Sequence, residues 1–200
     1  MEIKESRERT RSGAAPKKPV ESREPTEHHE IRIREGGAGD IPVILGLLDG
    51  ALAWLVAQGR TRQWGTTPWS ANPRAVGLVH RFVGEGTPYI AEIDGVPAGT
   101  LTLSAGPGPD VAPVDEPERY VHLFASDHRF RGRGVGSTLL AHAAEVTGRL
   151  GISLLRLDCY AGDDGRLVAY YEDNGFTRAE PFTSGEDEWP GQVMTRRVPR

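Results

Sequence analysis

The chain has 200 residues, which is enough for one domain with a sizeable core. Its 24 basic and 28 acidic side chains give a formal net charge of −4, which argues against a nucleic-acid partner because nucleic-acid-binding surfaces are strongly basic. The single cysteine, Cys159, excludes an intramolecular disulfide and a cysteine metal cluster. No apolar run approaches the ~18 residues that span a membrane, and the charged N-terminus lacks an apolar signal stretch. We therefore expect a cytoplasmic protein with no membrane partner.

Residues 1–30 differ in composition from the rest of the chain. They carry seven basic and seven acidic side chains and almost no large apolar ones. Such a segment cannot bury enough apolar surface to offset the entropy lost on ordering. We predict a disordered charged tail over residues 1–30 and one folded domain over residues 31–200.

The first part of the folded domain carries signals for a strand, two helices and a hairpin. Asp40 and Asn72 are suitable N-caps for the two helical patterns. The dipeptide Asp94-Gly95 lies between two strand-like runs, which is a strong β-hairpin signal. The predicted elements are a strand over 31–35, helices over about 41–58 and 73–83, and hairpin strands over 88–92 and 96–104.

The second part alternates strands with helices. Residues 106–119 are rich in proline and acid, which predicts a long surface loop. Gly151 and Gly175 are expected to end the two helices. The predicted elements are strands over about 120–126, 152–159, 176–182 and 192–198 and helices over about 137–150 and 164–174. This order indicates an α/β fold with a mixed central sheet flanked by helices.

The run R-G-R-G-V-G at residues 131–136, placed between a predicted strand and a helix that opens at Ser137, predicts an anion cradle. Glycines let a phosphate approach the backbone, and the first turn of a helix offers free N–H groups and a positive dipole end. The spacing is not the G-x-G-x-x-G of a dinucleotide site. It is not a P-loop either, since no lysine precedes Ser137. We therefore expect a different pyrophosphate ligand.

Two motifs carry a resemblance to a known family. Arg-x-x-Gly-x-Gly begins at Arg131, and Tyr-Glu-x-x-Gly-Phe begins at Tyr171, 40 residues later, with a predicted strand between them. In this order and spacing they resemble the coenzyme A signature and the last-helix segment of the GCN5-related N-acetyltransferase (GNAT) family. The resemblance covers about residues 31–198.

The resemblance implies a single GNAT-like domain that transfers an acetyl group from acetyl-coenzyme A directly to a primary amine. The acceptor is a small molecule or a peptide amine, and a homodimer is compatible with the family. Acids in the loop over residues 106–119 indicate a cationic acceptor, either polycationic or with an apolar part against Trp64 or Trp69. The residues that the resemblance assigns to the cofactor are Phe124, Ala125, Ser126, Arg131, Gly132, Arg133, Gly134, Val135, Gly136 and Ser137.

The resemblance makes Tyr171 the general acid that protonates the leaving thiolate, with the adjacent Tyr170 pointing elsewhere and kept as the alternative. For the base we predict His122, which alternates with Tyr120 and Phe124 on one strand face and has an unperturbed pKa of about 6.5. Rivals for the base are Glu92, Glu118 and a chain of water molecules.

Some features depart from the family pattern or allow another function. Ser126 stands where an aliphatic residue is usual, and Asp164 stands where many members have an asparagine that binds the cofactor. Cys159 is expected to be a small buried residue and not a nucleophile. The alternative function is a non-catalytic acyl-coenzyme A sensor or interaction module of the same fold. An RNA-binding role is disfavoured by the net charge.

Overall fold

The structure is a computed structural model, and it describes residues 30–185 and 188–199. The predicted tail lies outside the described residues except for Glu30. Within these residues the domain has seven strands and four α-helices. Their bounds are β1 Ile31–Glu35, α1 Ile41–Ala57, α2 Pro73–Glu85, β2 Thr87–Ile93, β3 Val96–Ser104, β4 Glu118–Ser126, α3 Val135–Arg149, β5 Leu154–Tyr160, α4 Arg166–Asp173, β6 Thr177–Ser184 and β7 Trp189–Arg197.

All seven strands form one mixed sheet in the order β1-β2-β3-β4-β5-β7-β6. Every neighbouring pair is antiparallel except β4 and β5, which are parallel. One core cluster packs α3 and α4 on the sheet, around Leu139 and Tyr171. A second cluster packs α1 and α2 on the sheet, around Ile44 and Phe82. The predicted α/β fold with a mixed sheet between helices is confirmed.

Local sequence explains where the helices begin. The Asn72 side chain accepts hydrogen bonds from the N–H groups of Arg74 and Ala75, so it caps α2 as predicted. Asp40 occupies the N-cap position of α1, but its carboxylate instead accepts from Gly37 N–H and pairs with Arg34 at 2.7 Å. Asp40 therefore ties the helix start to β1.

One segment of the described residues, Ala38–Ala57, is long and apolar enough to span a membrane by length and composition alone. The expectation that no run approaches this length is therefore wrong for α1. In the fold six of its apolar side chains are buried, and two of them, Ile44 and Leu48, pack in the cluster with α2 and the sheet. This face of the helix belongs to the core of the domain.

The parallel pair β4 and β5 forms a fork. Only Glu118–Tyr120 of β4 pair with Leu154–Arg156 of β5, although both strands continue beyond these residues. The closed end of the fork is the end where the two strands are paired. Beside it, Arg156 and Glu118 form an ion pair at 3.2 Å with both side chains 4% exposed. The strands separate past this point, which leaves space between them.

Candidate active site

A cleft of about 760 Å³ lies where β4 and β5 separate. Residues 121–126 of β4 line one wall, and residues 157–160 of β5 line the other. The start of α3 and the segment between α1 and α2 also reach the cleft, and α4 contributes Tyr170 and Tyr171. The fork therefore brings the two sequence motifs to one cavity.

The glycine-rich turn after β4 forms an open cradle at the start of α3. Gly132 and Gly134 have φ angles of +82° and +79°, in the left-handed region that glycine favours. Gly134 is the N-cap of α3, and no described side chain caps the helix there. A Cβ built on either glycine meets no described atom within 4 Å, so the space beside the turn is open. The helix begins at Val135, two residues before the predicted start at Ser137.

Exposed arginines surround this cradle. The Arg131 guanidinium carbon lies 5.7 Å from the ring centroid of Trp54, and that of Arg133 lies 5.8 Å from Phe130. Aromatic contacts of this length hold a guanidinium in place without neutralising it. Together with the helix N-terminus, these charges make the cradle suitable for an anionic group.

A β-bulge changes which side chains of β4 face the cleft. Leu123 has a φ of +50°, and the register with β3 shifts between Thr100 and Thr102. Such a backbone conformation costs a residue with a Cβ about 1–3 kcal/mol, and it is typical of functional sites. Because of the bulge, Leu123 packs in the α1–α2 cluster, and Phe124 packs on the opposite cluster with α3 and α4.

The predicted face of β4 is therefore wrong in part. His122 stacks on Phe82 of α2, with ring centroids 3.8 Å apart, while Phe124 lies on the other side of the sheet. The bulge inserts one extra residue into the alternation, and a strict period of two does not hold across it. Phe124, Ala125 and Ser126 all line the cleft.

Both tyrosines of α4 reach the cleft. Tyr171 is 5% exposed, and its ring lies 6.1 Å from Phe124 and 6.0 Å from Phe176. Burial raises the pKa of the Tyr171 phenol well above 10, so the hydroxyl keeps its proton. Tyr170 points to α3, where its hydroxyl lies against Gly136, so a Cβ at that glycine would collide with it.

His122 is buried with one ring nitrogen engaged. Nε2 lies 2.9 Å from Ser104 Oγ and 3.1 Å from the Gly106 carbonyl oxygen. Burial lowers the pKa of His122 to about 4, so the ring is neutral at pH 7. Since a carbonyl only accepts, Nε2 donates its proton, and Nδ1 is the nitrogen with the free lone pair.

The carboxylate of Asp158 lies in this cleft as well. It is on β5 and accepts a hydrogen bond of 2.7 Å from the hydroxyl of Tyr120. Burial raises the pKa of Asp158, and the charge of Asp110 adds to that shift. A second cavity of about 620 Å³ adjoins the cleft, and both His122 and Asp158 line the two cavities.

A family model described as the acetyltransferase (GNAT) family matches residues 56–176, more than half of the chain. The protein belongs to the GNAT family. Family membership implies acetyl transfer from acetyl-coenzyme A. A search of curated proteins found no match.

Solved GNAT structures have the same fold at low sequence identity. The "IAA acetyltransferase from Bacillus cereus ATCC 14579" is 18% identical, with 84% of this chain and 100% of that chain covered and a TM-score of 0.59. The ribosomal-protein-S18-alanine N-acetyltransferase from Escherichia coli is 17% identical, with 86% and 96% covered and a TM-score of 0.60. A ribosomal-protein acetyltransferase solved with coenzyme A is 19% identical, with 84% and 94% covered and a TM-score of 0.60.

Two of the rivals predicted for the base are outside the GNAT cleft. Glu92 pairs with Arg34 at 2.7 Å, next to the sheet edge formed by β1. Glu118 is held by Arg156 beside the closed end of the fork. Both carboxylates are occupied by arginines, and neither lines the cleft or the adjoining cavity.

Sequence reasoning missed Asp158. The sequence predicts a buried strand over residues 152–159, and Asp158 lies inside it. Buried carboxylates are rare unless paired, so an acidic residue inside such a strand indicates a candidate functional residue. Its position in the same cleft as His122 depends on the fork between β4 and β5, and local sequence patterns do not predict that fork.

The remaining residues singled out from the sequence fall in or near the cleft. Trp64 and Trp69 contact each other edge to face at 5.6 Å, and both line it. Cys159 is buried, and burial raises the pKa of its thiol to about 12, as expected for a residue that is not a nucleophile. Asp164 pairs with Arg60 at 2.6 Å and with Arg166 at 3.0 Å. At the position where the family resemblance implies a cofactor contact, the carboxylate of Asp164 is therefore paired with arginines.

Proposed function

We propose that the protein is an N-acetyltransferase that moves an acetyl group from acetyl-coenzyme A directly to a primary amine of a small molecule or peptide. The observation that carries the proposal is the presence in one cleft of a neutral buried phenol, Tyr171, and a half-buried carboxylate, Asp158. Direct transfer to an amine needs a proton acceptor for the amine and a proton donor for the leaving thiolate. The cytoplasmic location and a homodimer stay predictions.

The cradle suits the pyrophosphate of the cofactor. Arg131 and Arg133 are exposed cations, and the open faces of Gly132 and Gly134 let phosphate oxygens approach the first-turn N–H groups of α3. The backbone of residues 124–126 lies on the cleft wall where β4 is no longer paired with β5. These are the residues that would hold the cofactor, which supplies the activated acetyl group when bound.

Asp158 is our choice for the proton acceptor, ahead of His122. An alkylamine is protonated at pH 7, with a pKa of about 10, and must become neutral before it attacks. The carboxylate of Asp158 attracts the ammonium group, and its raised pKa makes it a better base than an exposed aspartate. His122 is neutral and offers only Nδ1, so it has no charge to attract the amine.

Tyr171 is our choice for the proton donor. Its phenol is protonated throughout the pH range in which acetyl transfer is assayed, because burial raises its pKa. The hydroxyl therefore enters each turnover as a donor to the departing sulfur. Removing such a donor costs roughly 10²–10⁴-fold in rate when proton transfer limits turnover.

The test follows thiol release from acetyl-coenzyme A with a panel of amines, together with calorimetric binding of coenzyme A. Tyr171→Phe should lower turnover without changing cofactor affinity, because the interaction is lost in the transition state. Tyr170→Phe is the matched variant, since it removes the neighbouring hydroxyl, which contacts α3. If the protein binds coenzyme A but acetylates no amine, the non-catalytic sensor replaces the enzyme. If only Tyr170→Phe is slow, the donor has been misassigned.

A further inference from the structure

The cavity of about 620 Å³ next to the cleft has its own chemistry. It lies between α2, the loop at residues 108–111 and the β6–β7 edge, and it shares the wall formed by His122 and Asp158 with the cleft. A volume in this range fits a molecule of one or two rings. We propose that this cavity binds an arylalkyl primary amine that carries no carboxylate next to the amine. This inference rests on the proposed acetyl transfer and names its acceptor.

Aromatic side chains on three elements line the cavity. Phe82 is on α2, Phe182 is on β6 and Trp189 is on β7, and Trp69 precedes α2. Phe182 and Trp189 have ring centroids 6.1 Å apart and are tilted by 48°. Flat apolar walls of this kind bind an aromatic ring better than a flexible alkyl chain, because stacking adds to the burial of area. The cavity therefore favours a ring at the middle of the ligand.

The amine end of the ligand belongs at Asp158. This carboxylate is the deep charged group of the cavity, while Asp110 is exposed in the loop at its rim. An ammonium beside Asp158 gains a charge-assisted hydrogen bond and relieves the repulsion between the two acids. A carboxylate on the carbon that bears the amine would lie beside Asp158 as well and would be repelled. Free α-amino acids are therefore disfavoured.

The charges of α2 disfavour a polyamine. Arg74 and Arg81 line the cavity from one helix face, about 10 Å apart along the axis. Arg81 is paired with Glu85 at 3.2 Å, and its guanidinium lies 5.3 Å from the Phe82 ring. Arg74 is exposed in the first turn of α2. A second ammonium reaching out of the cavity would meet these cations. Of the two kinds of cationic acceptor that the loop acids suggested, the cavity therefore favours the one with an apolar part over the polycationic one.

The acids of the loop over residues 106–119 differ in their position relative to the cavity. Asp110 lines the cavity, whereas Asp115 does not, and Glu116 forms a bidentate pair with Arg197 at 2.6 Å. Asp115 and Asp110 are both exposed acids of one loop. They therefore form a matched pair for an experiment.

The experiment measures amine binding by calorimetry with the full chain saturated with coenzyme A, so that no turnover occurs. We expect 2-phenylethylamine to bind at least tenfold more tightly than butylamine, phenylalanine and spermidine. Asp158→Asn should lower the affinity for 2-phenylethylamine at least tenfold, and Asp110→Asn should lower it severalfold. Asp115→Asn should leave this affinity unchanged. Phe182→Leu should lower the affinity for 2-phenylethylamine severalfold and leave the affinity for butylamine unchanged.

The inference would be overturned if phenylalanine or butylamine bound as tightly as 2-phenylethylamine. It would also be overturned if Asp158→Asn bound 2-phenylethylamine as tightly as the wild type does. Preference for an aromatic peptide amide over 2-phenylethylamine would also overturn it and would assign the cavity to a peptide N-terminus. Tight binding of 2-phenylethylamine without thiol release from acetyl-coenzyme A would remove the proposed enzyme activity and leave the cavity assignment intact. Thiol release with no preference among the amines would support the proposed enzyme activity and remove the cavity assignment.

Discussion

Replacing Gly134 with alanine tests the cradle, because the cost to folding and the cost to binding are separable there. The φ of +79° is unfavourable for a residue with a Cβ by about 1–2 kcal/mol. No described atom lies within 4 Å of the added methyl group, so no collision adds to this cost. At about 2–4 °C per kcal/mol for a domain of this size, the Tm of the free protein should fall by roughly 2–8 °C.

Gly151→Ala is the matched control. Gly151 has a φ of +72°, its Cβ also meets no described atom within 4 Å, and it lies just past the other end of α3. The conformational cost is therefore the same, and the free protein should lose a similar amount of Tm. The two variants differ in one respect, since only the methyl group at position 134 projects into the cradle.

The effect on binding follows from mass action. Losing one charge-assisted hydrogen bond to a phosphate costs about 1.5–3 kcal/mol, or roughly tenfold to hundredfold in Kd. Coenzyme A at 100 times the wild-type Kd stabilises the wild type by about 2.7 kcal/mol, and after a hundredfold loss it stabilises the variant by about 0.4 kcal/mol. Over a tenfold to hundredfold loss in affinity, the Tm shift caused by coenzyme A should therefore shrink by roughly 3–9 °C in Gly134→Ala.

Circular dichroism melts with and without coenzyme A give both quantities in one experiment. The wild type and Gly151→Ala should show the same ligand-induced shift in Tm, and Gly134→Ala should show a shift smaller by that amount. A full shift in Gly134→Ala would refute the cradle assignment. Loss of the shift in both variants would mean that the change in stability, and not the methyl group in the cradle, affects binding.

Three further predictions concern buried groups. The pKa of His122 is about 4 in the fold and 6.5 in a free chain, so between these values the unfolded state binds a proton that the folded state does not. The free energy of unfolding should therefore fall by up to roughly 3 kcal/mol as the pH drops from 6.5 to 4. Urea unfolding of His122→Gln should lack this part of the pH dependence. Glu118→Gln leaves the buried Arg156 charge unpaired and should lower the free energy of unfolding in urea by about 3–5 kcal/mol. Gly136→Ala should separate α3 from Tyr170 and lower the Tm by more than Gly151→Ala does; an equal Tm would show that the tyrosine moves freely.

Much of the fold could be predicted because its signals are local. Asn72 caps α2 through its own side chain, and Asp94-Gly95 turns the hairpin with φ angles of +53° and +76°. Gly151 and Gly175 follow the helices with positive φ, as predicted. Each of these features is decided by residues within about four positions of one another, which a single sequence displays.

The candidate site could be predicted only where a motif is contiguous. The glycine-rich turn is one segment, and its predicted position agrees with the structure to within two residues. The bulge at Leu123 depends on how β4 pairs with β3, and the position of Asp158 and His122 in one cleft depends on where β4 and β5 stop pairing. These are contacts between distant segments, and strand periodicity contains no information about them.

The fork also divides the sheet into two antiparallel parts. β1 to β4 form a continuous antiparallel succession, β5, β7 and β6 form another, and three residue pairs join them. Among the described strands the seam is the one parallel junction, and it has fewer paired residues than any of the antiparallel junctions. We expect native-state hydrogen exchange to show two cooperative units, with the seam opening at a lower free energy than either. A ligand held between the two strands would act as a clamp on that opening, so coenzyme A should slow exchange across the seam more than within either unit.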